Sequence, residues 1–420
     1  MKVIKTKKGD GVNEQLLIVT VDMGKDRHYG YWRCPDGTDV KPFAFCNNGR
    51  GFQEFWERVS HAKKLHNIEN IVFGYESTGS YAEPLVHFLR ARGVQMVQVN
   101  PMHTKRIKDL QGNSPNKTDE KDPKVIADII ALGHALTVVL PEGPAAELRR
   151  LTQARERSNE RYVALVNQLQ CLVAIIFPEF LQVMRDAKTL TARYLLAQCP
   201  APKDIIEYGL DNLILTIKKV SRGKLKEDRA KALYEVSKAS VGVIEGQASI
   251  IREIRELLVA MDAAEAFTED LEKGMAYYLE QIPYSGSILS IKGIQEVTAA
   301  GLIGEVGDFR KFRTLSEILK LAGLDLYEIS SGKHQGKRRI SKRGRSLMRK
   351  LLYFASLNTV RSGGIMHSKY KQYLERGMPK TKALIAIARK LIGIIFAVVR
   401  DQSVYEKDFS KASLAYKEAA

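Results

Sequence analysis

Leu16-Leu-Ile-Val-Thr-Val-Asp22 and Ile71-Val-Phe-Gly-Tyr-Glu76 are two apolar runs that each end on an acid. Both read as buried strands giving out into solvent, where a carboxylate is hard to explain as packing. Two further acids, Asp119 and Asp122, lie three apart at the start of a predicted helix and so share one face. Four carboxylates brought to one point repel unless cations sit among them. Hard oxygen donors of this kind suit Mg²⁺ or Mn²⁺, so the set reads as a metal cage for phosphate chemistry.

The surrounding pattern decides how the two runs meet. Strands are expected at Leu16–Val21, Tyr29–Arg33, Val40–Phe45, Ile71–Tyr75 and Val94–Val99, with helices at Gly51–Lys64, Tyr81–Arg92 and Pro123–Leu132. Three strands in hairpin-like succession, then alternating helices and strands, fit a ribonuclease-H-like mixed sheet. That topology sets the acids of the first and fourth strands side by side. Lys105 to Lys121 is polar and carries Gly, Asn and Pro, and reads as a loop leading to the last two acids.

Composition narrows the partners. Lys and Arg number 66 against 48 acids, a formal charge of +18, which favours a polyanion. Cys34, Cys46, Cys171 and Cys199 form no CxxC pair and have no His at zinc-finger spacing. No GxxxxGK[ST] stretch is present, so no nucleotide triphosphate is called for. The basic N-terminus lacks a signal-peptide core, and the apolar stretch Leu391 to Val399 is too short to cross a bilayer. A cytoplasmic protein without a membrane partner is expected.

At 420 residues, two or three compact units are expected. The reading divides the chain into an α/β region, 1–144, a helical region, 145–282, and a mainly helical C-terminal region, 283–420. Leu148, Leu151, Arg155, Ser158, Tyr162, Leu165, Leu169, Leu172 and Ile176 follow steps of three and four, a heptad seam. A second helical stretch spans Glu227 to Met261, with a break at Pro200–Pro202, so the seam suits either an antiparallel hairpin or a dimerising coiled coil. In the C-terminal region, Ile291-Lys-Gly-Ile-Gln-Glu-Val-Thr-Ala-Ala300 followed by Gly304-Glu-Val-Gly-Asp308 resembles a helix-hairpin-helix, with Gln295 where a second glycine is usual. Between Gly332 and Lys350 stand nine Lys or Arg and no acid, leading into a helix over Leu351–Val360. Such a strip anchored on a folded helix reads as a phosphate track.

These pieces resemble one family, the transposases and invertases of the insertion-sequence-110 type, also called Piv/MooV or bridge-RNA-guided recombinases. The matching motifs are Val21-Asp-Met-Gly24 with His28, Tyr75-Glu-Ser-Thr-Gly79, Lys117-Thr-Asp-Glu-Lys-Asp122, Ile291-Lys-Gly-Ile294 with Val297-Thr-Ala-Ala300, Leu321-Ala-Gly-Leu324, Ser331-Gly332 and Ile340-Ser-Lys-Arg-Gly344. The resemblance implies a RuvC-like nuclease domain whose tetrad is Asp22, Glu76, Asp119 and Asp122. It implies a C-terminal transposase domain with a nucleophilic serine at Ser331, beside Ser330. It implies a non-coding guide RNA that pairs with donor and target DNA, and a coiled coil that mediates assembly into a homo-oligomer.

Lys105, Arg106 and Lys117 before Asp119, and Lys337, Arg338, Arg339, Lys342, Arg343 and Arg345 beyond Ser331, are the expected nucleic-acid contacts. Phosphate contacts position a strand without reading it. The competing reading is a structure-specific metal-dependent nuclease in which the same acids activate water and no covalent intermediate forms. Neutralising Arg338, Arg339, Lys342 and Arg343 together is expected to weaken nucleic-acid binding and flatten its salt dependence, because fewer counterions are released. Binding isotherms across a salt series check this, and an unchanged slope would make the strip solvated surface.

Overall fold

The structure is a computed structural model that describes residues 16–76, 79–111, 121–328, 336 and 338–406. The chain divides into two compact units, Met1–Val139 and Leu140–Ala420.

The first unit is built on a six-stranded mixed sheet in the order β3-β2-β1-β4-β5-β6. Its strands are β1 (Leu16–Asp22), β2 (Arg27–Arg33), β3 (Phe43–Cys46), β4 (Asn70–Glu76), β5 (Gln95–Val99) and β6 (Leu136–Thr137). β1, β4 and β5 run parallel, while β2, β3 and β6 join antiparallel. Its helices are α1 (Gly49–Leu65), α2 (Glu83–Arg90), α3 (Pro101–Gln111) and α4 (Asp122–Ala131). β1 reads as an unbroken apolar run because both its faces are covered, and Leu17, Ile18, Val19 and Val21 are all buried. Phe55 of α1 stacks on Phe45 and meets Phe73 of β4 edge-on. Gly74, next along β4, points the other way, and a Cβ there would lie 2.1 Å from Ile130 of α4. Since successive strand residues alternate faces, α1 and α4 cover opposite sides of the sheet.

Several boundaries differ from the sequence expectation. β3 begins at Phe43, not Val40, because Pro42 offers no N–H to the ladder. α2 begins at Glu83 after a single 3₁₀ turn over Ser80–Ala82, with Pro84 in its first turn. The expected loop from Lys105 starts as helix α3: Pro101 opens it, and the Asn100 side chain accepts from the Met102 N–H at 2.9 Å. The two-residue β6 carries too few residues to show a period.

The second unit is helical. Its helices are α5 (Pro144–Ile176), α6 (Pro178–Met184), α7 (Leu190–Gln198), α8 (Pro202–Tyr208), α9 (Leu210–Val220), α10 (Glu227–Lys238), α11 (Gln247–Glu280), α12 (Ser285–Leu289), α13 (Glu296–Val306) and α14 (Leu315–Ala322). The hairpin β7 (Leu326–Tyr327) and β8 (Arg339–Ile340) follows, then α15 (Ser346–Thr359), α16 (His367–Glu375) and α17 (Lys380–Arg400).

The heptad seam finds its partner inside the chain. Arg155 pairs with Glu272 at 2.7 Å, Ser158 Oγ donates to the Ala264 carbonyl at 3.3 Å, and Gln168 donates to Glu253 at 2.7 Å. Rising numbers on α5 meet falling numbers on α11, so the pair is antiparallel. Leu148, Leu169 and Ile176 are fully buried. The expected second stretch, Glu227 to Met261, is not one helix. It breaks at Ala239–Gly246, where a Cβ on Gly242 would lie 1.9 Å from the Ile176 carbonyl oxygen and the Val243 N–H donates to Ile175 at 3.0 Å. Helices α6 to α10 pack around the Ile176 end of α5 in one core.

A second core joins the other end of the pair to α12–α15 and α17. The apolar stretch at Leu391 lies in α17, with Leu391, Ile392 and Ile395 fully buried there. No single described helix is long and apolar enough to cross a membrane. All four cysteines are free thiols.

α13 approaches α5 closely through glycine. A Cβ at Gly304 would lie 2.7 Å from the Arg149 backbone nitrogen, and the neighbouring buried Glu305 carboxylate pairs with Arg149 at 3.2 Å. Gly304→Val is therefore expected to cost about 2–3 kcal/mol by overpacking against backbone that cannot yield. Thermal or urea denaturation of the variant measures it.

Candidate active site

Alternation along the strands gathers the acids. Val21 pairs with Tyr75, so Asp22 and Glu76 end neighbouring parallel strands together, about 4.8 Å apart in the hydrogen-bonding direction. Asp22 shares its face with Ile18 and Thr20, and Glu76 shares its face with Val72 and Gly74. Ile18, Val72 and Gly74 all pack beneath α4. Both carboxylates therefore lie on the α4 side of the sheet, at the C-terminal ends of β1 and β4.

α4 brings the third acid. Asp122 is its first residue, where the helix dipole favours a carboxylate, and Pro123 fits the first turn. Thr20 Oγ1 donates to the Pro123 carbonyl at 2.6 Å, a buried hydrogen bond that ties the start of α4 to β1 two residues before Asp22. Further along, Arg33 of β2 pairs with Asp128 at 2.7 Å, and its Nε donates to Tyr31, whose hydroxyl donates to Asp39 at 2.7 Å. Lys124 pairs with Asp39 at 3.4 Å. Burial and the Asp39 carboxylate push the Tyr31 phenol up to about 12, so it remains a donor at any physiological pH.

Lys108 of α3 places its ammonium 2.6 Å from Asp122 Oδ2. Lys105 and Arg106 of the same helix are exposed. Asp119 and Lys117 lie outside the described residues. Among the described residues no three His, Cys, Asp or Glu side chains converge closely enough to hold a metal ion. The chemistry of the donor set, carboxylates alone, is the kind that suits a hard divalent cation.

The turn after Asp22 is set by a buried histidine. The Gly24 N–H donates to His28 Nδ1 at 3.2 Å, and a Cβ on Gly24 would lie 2.1 Å from the Arg27 carbonyl oxygen. His28 is fully buried between Phe45 and Phe52. Burial lowers its pKa, outweighing a smaller opposing effect of Asn47, so the ring is neutral and Nδ1 is free to accept.

In the second unit, Ser330, Ser331 and Lys337 lie outside the described residues, between β7 and β8 in the chain. Two of the quoted motifs form the base of that hairpin. Gly323 and Gly344 touch backbone to backbone: a Cβ on Gly344 would lie 2.4 Å from Gly323 N, and Gly323 has φ +64°. The Lys342 N–H donates to Gly323 at 2.9 Å, the Arg345 N–H to Leu321 at 2.8 Å, and Ser341 Oγ bonds Asp325. Arg349 Nη1 caps Ala322 and Gly344 carbonyls at 3.0 and 2.9 Å.

The basic strip divides accordingly. Arg339, Lys342 and Arg343 are exposed, Arg338 is exposed and pairs with Glu328 at 2.9 Å, and Arg345 turns inward to the Glu305 carbonyl. Lys350 pairs with Glu156 of α5. In the helix-hairpin-helix-like segment, Gly293 has φ +106°, and a Cβ there would lie 3.0 Å from Thr359 of α15, so this turn packs against that helix.

Sequence reasoning missed Thr20, Lys108 and Arg349. Thr20 had a signal, a lone hydroxyl in an apolar strand. Lys108 and Arg349 had none, standing among many cations.

Residues 19–178 match the DEDD transposase family of the IS110 type, and residues 286–371 match the transposase family IS116/IS110/IS902. A 43.6 kDa protein of insertion element IS110 from Streptomyces coelicolor is 24% identical over 93% of this chain and 95% of its own length. The transposase for insertion sequence element IS1111A of Coxiella burnetii is 23% identical over 84% of each. A probable family 20 transposase of Pseudomonas aeruginosa is 24% identical over 65% of this chain and 80% of its own length. Fold and matches together define a DEDD-class transposase, an enzyme of DNA recombination, and that class implies a divalent metal cofactor. The two matched regions cover more than half of the 420 residues in the family's order, and the chain belongs to the IS110 family of insertion-sequence transposases.

Acid is expected to loosen the turn behind Asp22. The unfolded His28 binds a proton near pH 6.5 while the folded one resists it, so the stabilisation is complete above that pH and is lost as pH falls below it. The loss approaches about 1.4 kcal/mol per pH unit. Melting temperatures of the wild type and His28→Asn between pH 7.5 and 5.0 should converge on the acid side.

Proposed function

We propose that this transposase is an RNA-guided DNA recombinase that cuts and rejoins strands through a serine nucleophile, using a ribonuclease-H-like (RuvC-like) tetrad. The observation that carries the reading is the shared face and edge of Asp22, Glu76 and the α4 start that bears Asp122. With Asp119 they would hold Mg²⁺, or Mn²⁺, as hard oxygen ligands. A bound divalent ion lowers the pKa of an oxygen nucleophile and neutralises charge on the scissile phosphate.

In this reading Ser331 Oγ bonds to phosphorus while the sugar oxygen opposite departs. The serine proton passes to a carboxylate or water, and the departing oxygen takes one up. The phosphoserine diester retains the bond energy, and the hydroxyl of an exchanged strand reverses the step without an added energy source. Arg339, Lys342 and Arg343, with Lys105 and Arg106, hold phosphates of donor and target DNA or of the guide RNA. Sequence choice rests on base pairing with that RNA.

The division into nuclease (1–144), helical (145–282) and transposase (283–420) regions belongs to the same proposal. So does a cytoplasmic homo-oligomer, dimer to tetramer, since strand exchange needs several nucleophiles around two duplexes. As the α5 seam is filled by α11, assembly would use other faces of that pair.

The test is a covalent adduct on a donor-site duplex with copurified RNA. Wild type should form a protein–DNA adduct in Mg²⁺, Ser331→Ala none, and Ser330→Ala an amount within a few-fold of wild type. Asp22→Asn and Glu76→Gln should lower recombination by orders of magnitude while the protein stays folded. Cleavage that persists in Ser331→Ala without any adduct would establish the water-activating nuclease instead.

A further inference from the structure

We infer that Lys108 is a built-in competitor for the divalent cation at Asp122, neutralising that carboxylate until the ion displaces it. The inference rests on the metal-site reading above and assigns a role to a residue outside the tetrad.

The pair is not an ordinary surface contact. Asp122 is only 14% exposed and Lys108 33%, with 2.6 Å between charged atoms. Among the described residues the Asp122 side chain has no second polar partner, so its charge is directed at this one ammonium. A half-buried carboxylate left without a counter-charge would be costly. Nor does α3 need the pair in order to dock. Ile107, next to Lys108, packs against the α4 and β5 core of Val99, Val125, Ile126 and Ile129, and Asn100 caps the start of the helix.

The other cations nearby are placed differently. Lys105, Arg106 and Lys121 are exposed, and Lys124 is taken by Asp39. Among the described lysines and arginines of α3 and α4, Lys108 is the one that pairs with Asp122. Lysine also suits a removable charge better than arginine does. Its ammonium is a compact, strongly hydrated point on a flexible stem, without the bidentate fork that would lock a carboxylate.

Two consequences follow from this geometry. Before a metal ion enters, the sheet edge carries one fewer uncompensated negative charge, so α4 can sit close to β1 and β4 without repulsion. Once displaced, the ammonium stands three residues from Lys105 on the same face of α3 and can take a nucleic-acid phosphate. Entry of the metal would thus release a phosphate contact.

The experiment titrates the intact protein with Mn²⁺ and reads free ion by electron paramagnetic resonance. Lys108→Met, with Lys108→Gln as a second variant checked by circular dichroism, should bind Mn²⁺ roughly three- to tenfold more tightly, the scale of losing a partly exposed ion pair. Asp122→Asn should bind it more weakly. Acetylation of Lys108 in the wild type, followed by mass spectrometry, should accelerate when Mn²⁺ is added. Equal or weaker Mn²⁺ binding by both Lys108 variants, with binding still lost in Asp122→Asn, would overturn the competitor role and leave the metal site standing. An unchanged acetylation rate would overturn it too. Wild-type affinity in Asp122→Asn would instead bring down the metal-site reading itself.

Discussion

The hydrogen bond from Thr20 to the Pro123 carbonyl ties the start of α4, which bears Asp122, to the central strand. It joins the central strand to the first turn of α4, in a place where neither group can turn to water. The apolar packing of the helix on Ile18, Val72 and Gly74 is non-directional and by itself tolerates sliding. Arg33 and Asp128 add a second fixed point further along the helix. These two polar contacts set the register of α4 against the sheet.

The same logic of close, directional contact recurs in the second unit, where glycine takes the place of the hydroxyl. Gly304 lets α13 lie against the α5 backbone, and Gly323 meets Gly344 under the β7–β8 hairpin. Leu321-Ala-Gly-Leu324 and Ile340-Ser-Lys-Arg-Gly344 are thus two sides of one backbone clamp, braced by Arg349. A hairpin of only two paired residues per strand is weak by itself. The clamp holds its base, and the chain between β7 and β8 carries Ser330 and Ser331.

Charge serves two ends in this molecule. The excess of +18 makes a polyanion the natural partner. Yet the strip after Ser331 does not act as a unit: Arg345 and Arg349 satisfy backbone carbonyls, and Lys350 joins α15 to α5. Among the described residues, Arg338, Arg339, Lys342 and Arg343 are exposed and can face a phosphate backbone.

Legible in the sequence were the two buried strands that end on acids and the seam of α5, whereas the second long helix, read as Glu227 to Met261, spans Gln247–Glu280. Strand and helix periods are local, and a carboxylate closing a buried run is visible without a fold. The adjacency of β1 and β4 was also legible, since three hairpin-like strands before alternating elements leave few topologies. The partners of these elements depend on packing between segments far apart in the chain. A heptad seam reports that one face of α5 must be buried, but not that α11 of the same chain buries it. The break at Gly242 depends on a backbone approach to Ile176 from far along the chain. Lys108 reads like any other lysine until α3 and α4 pack together, because an ion pair between separate elements leaves no period in the sequence.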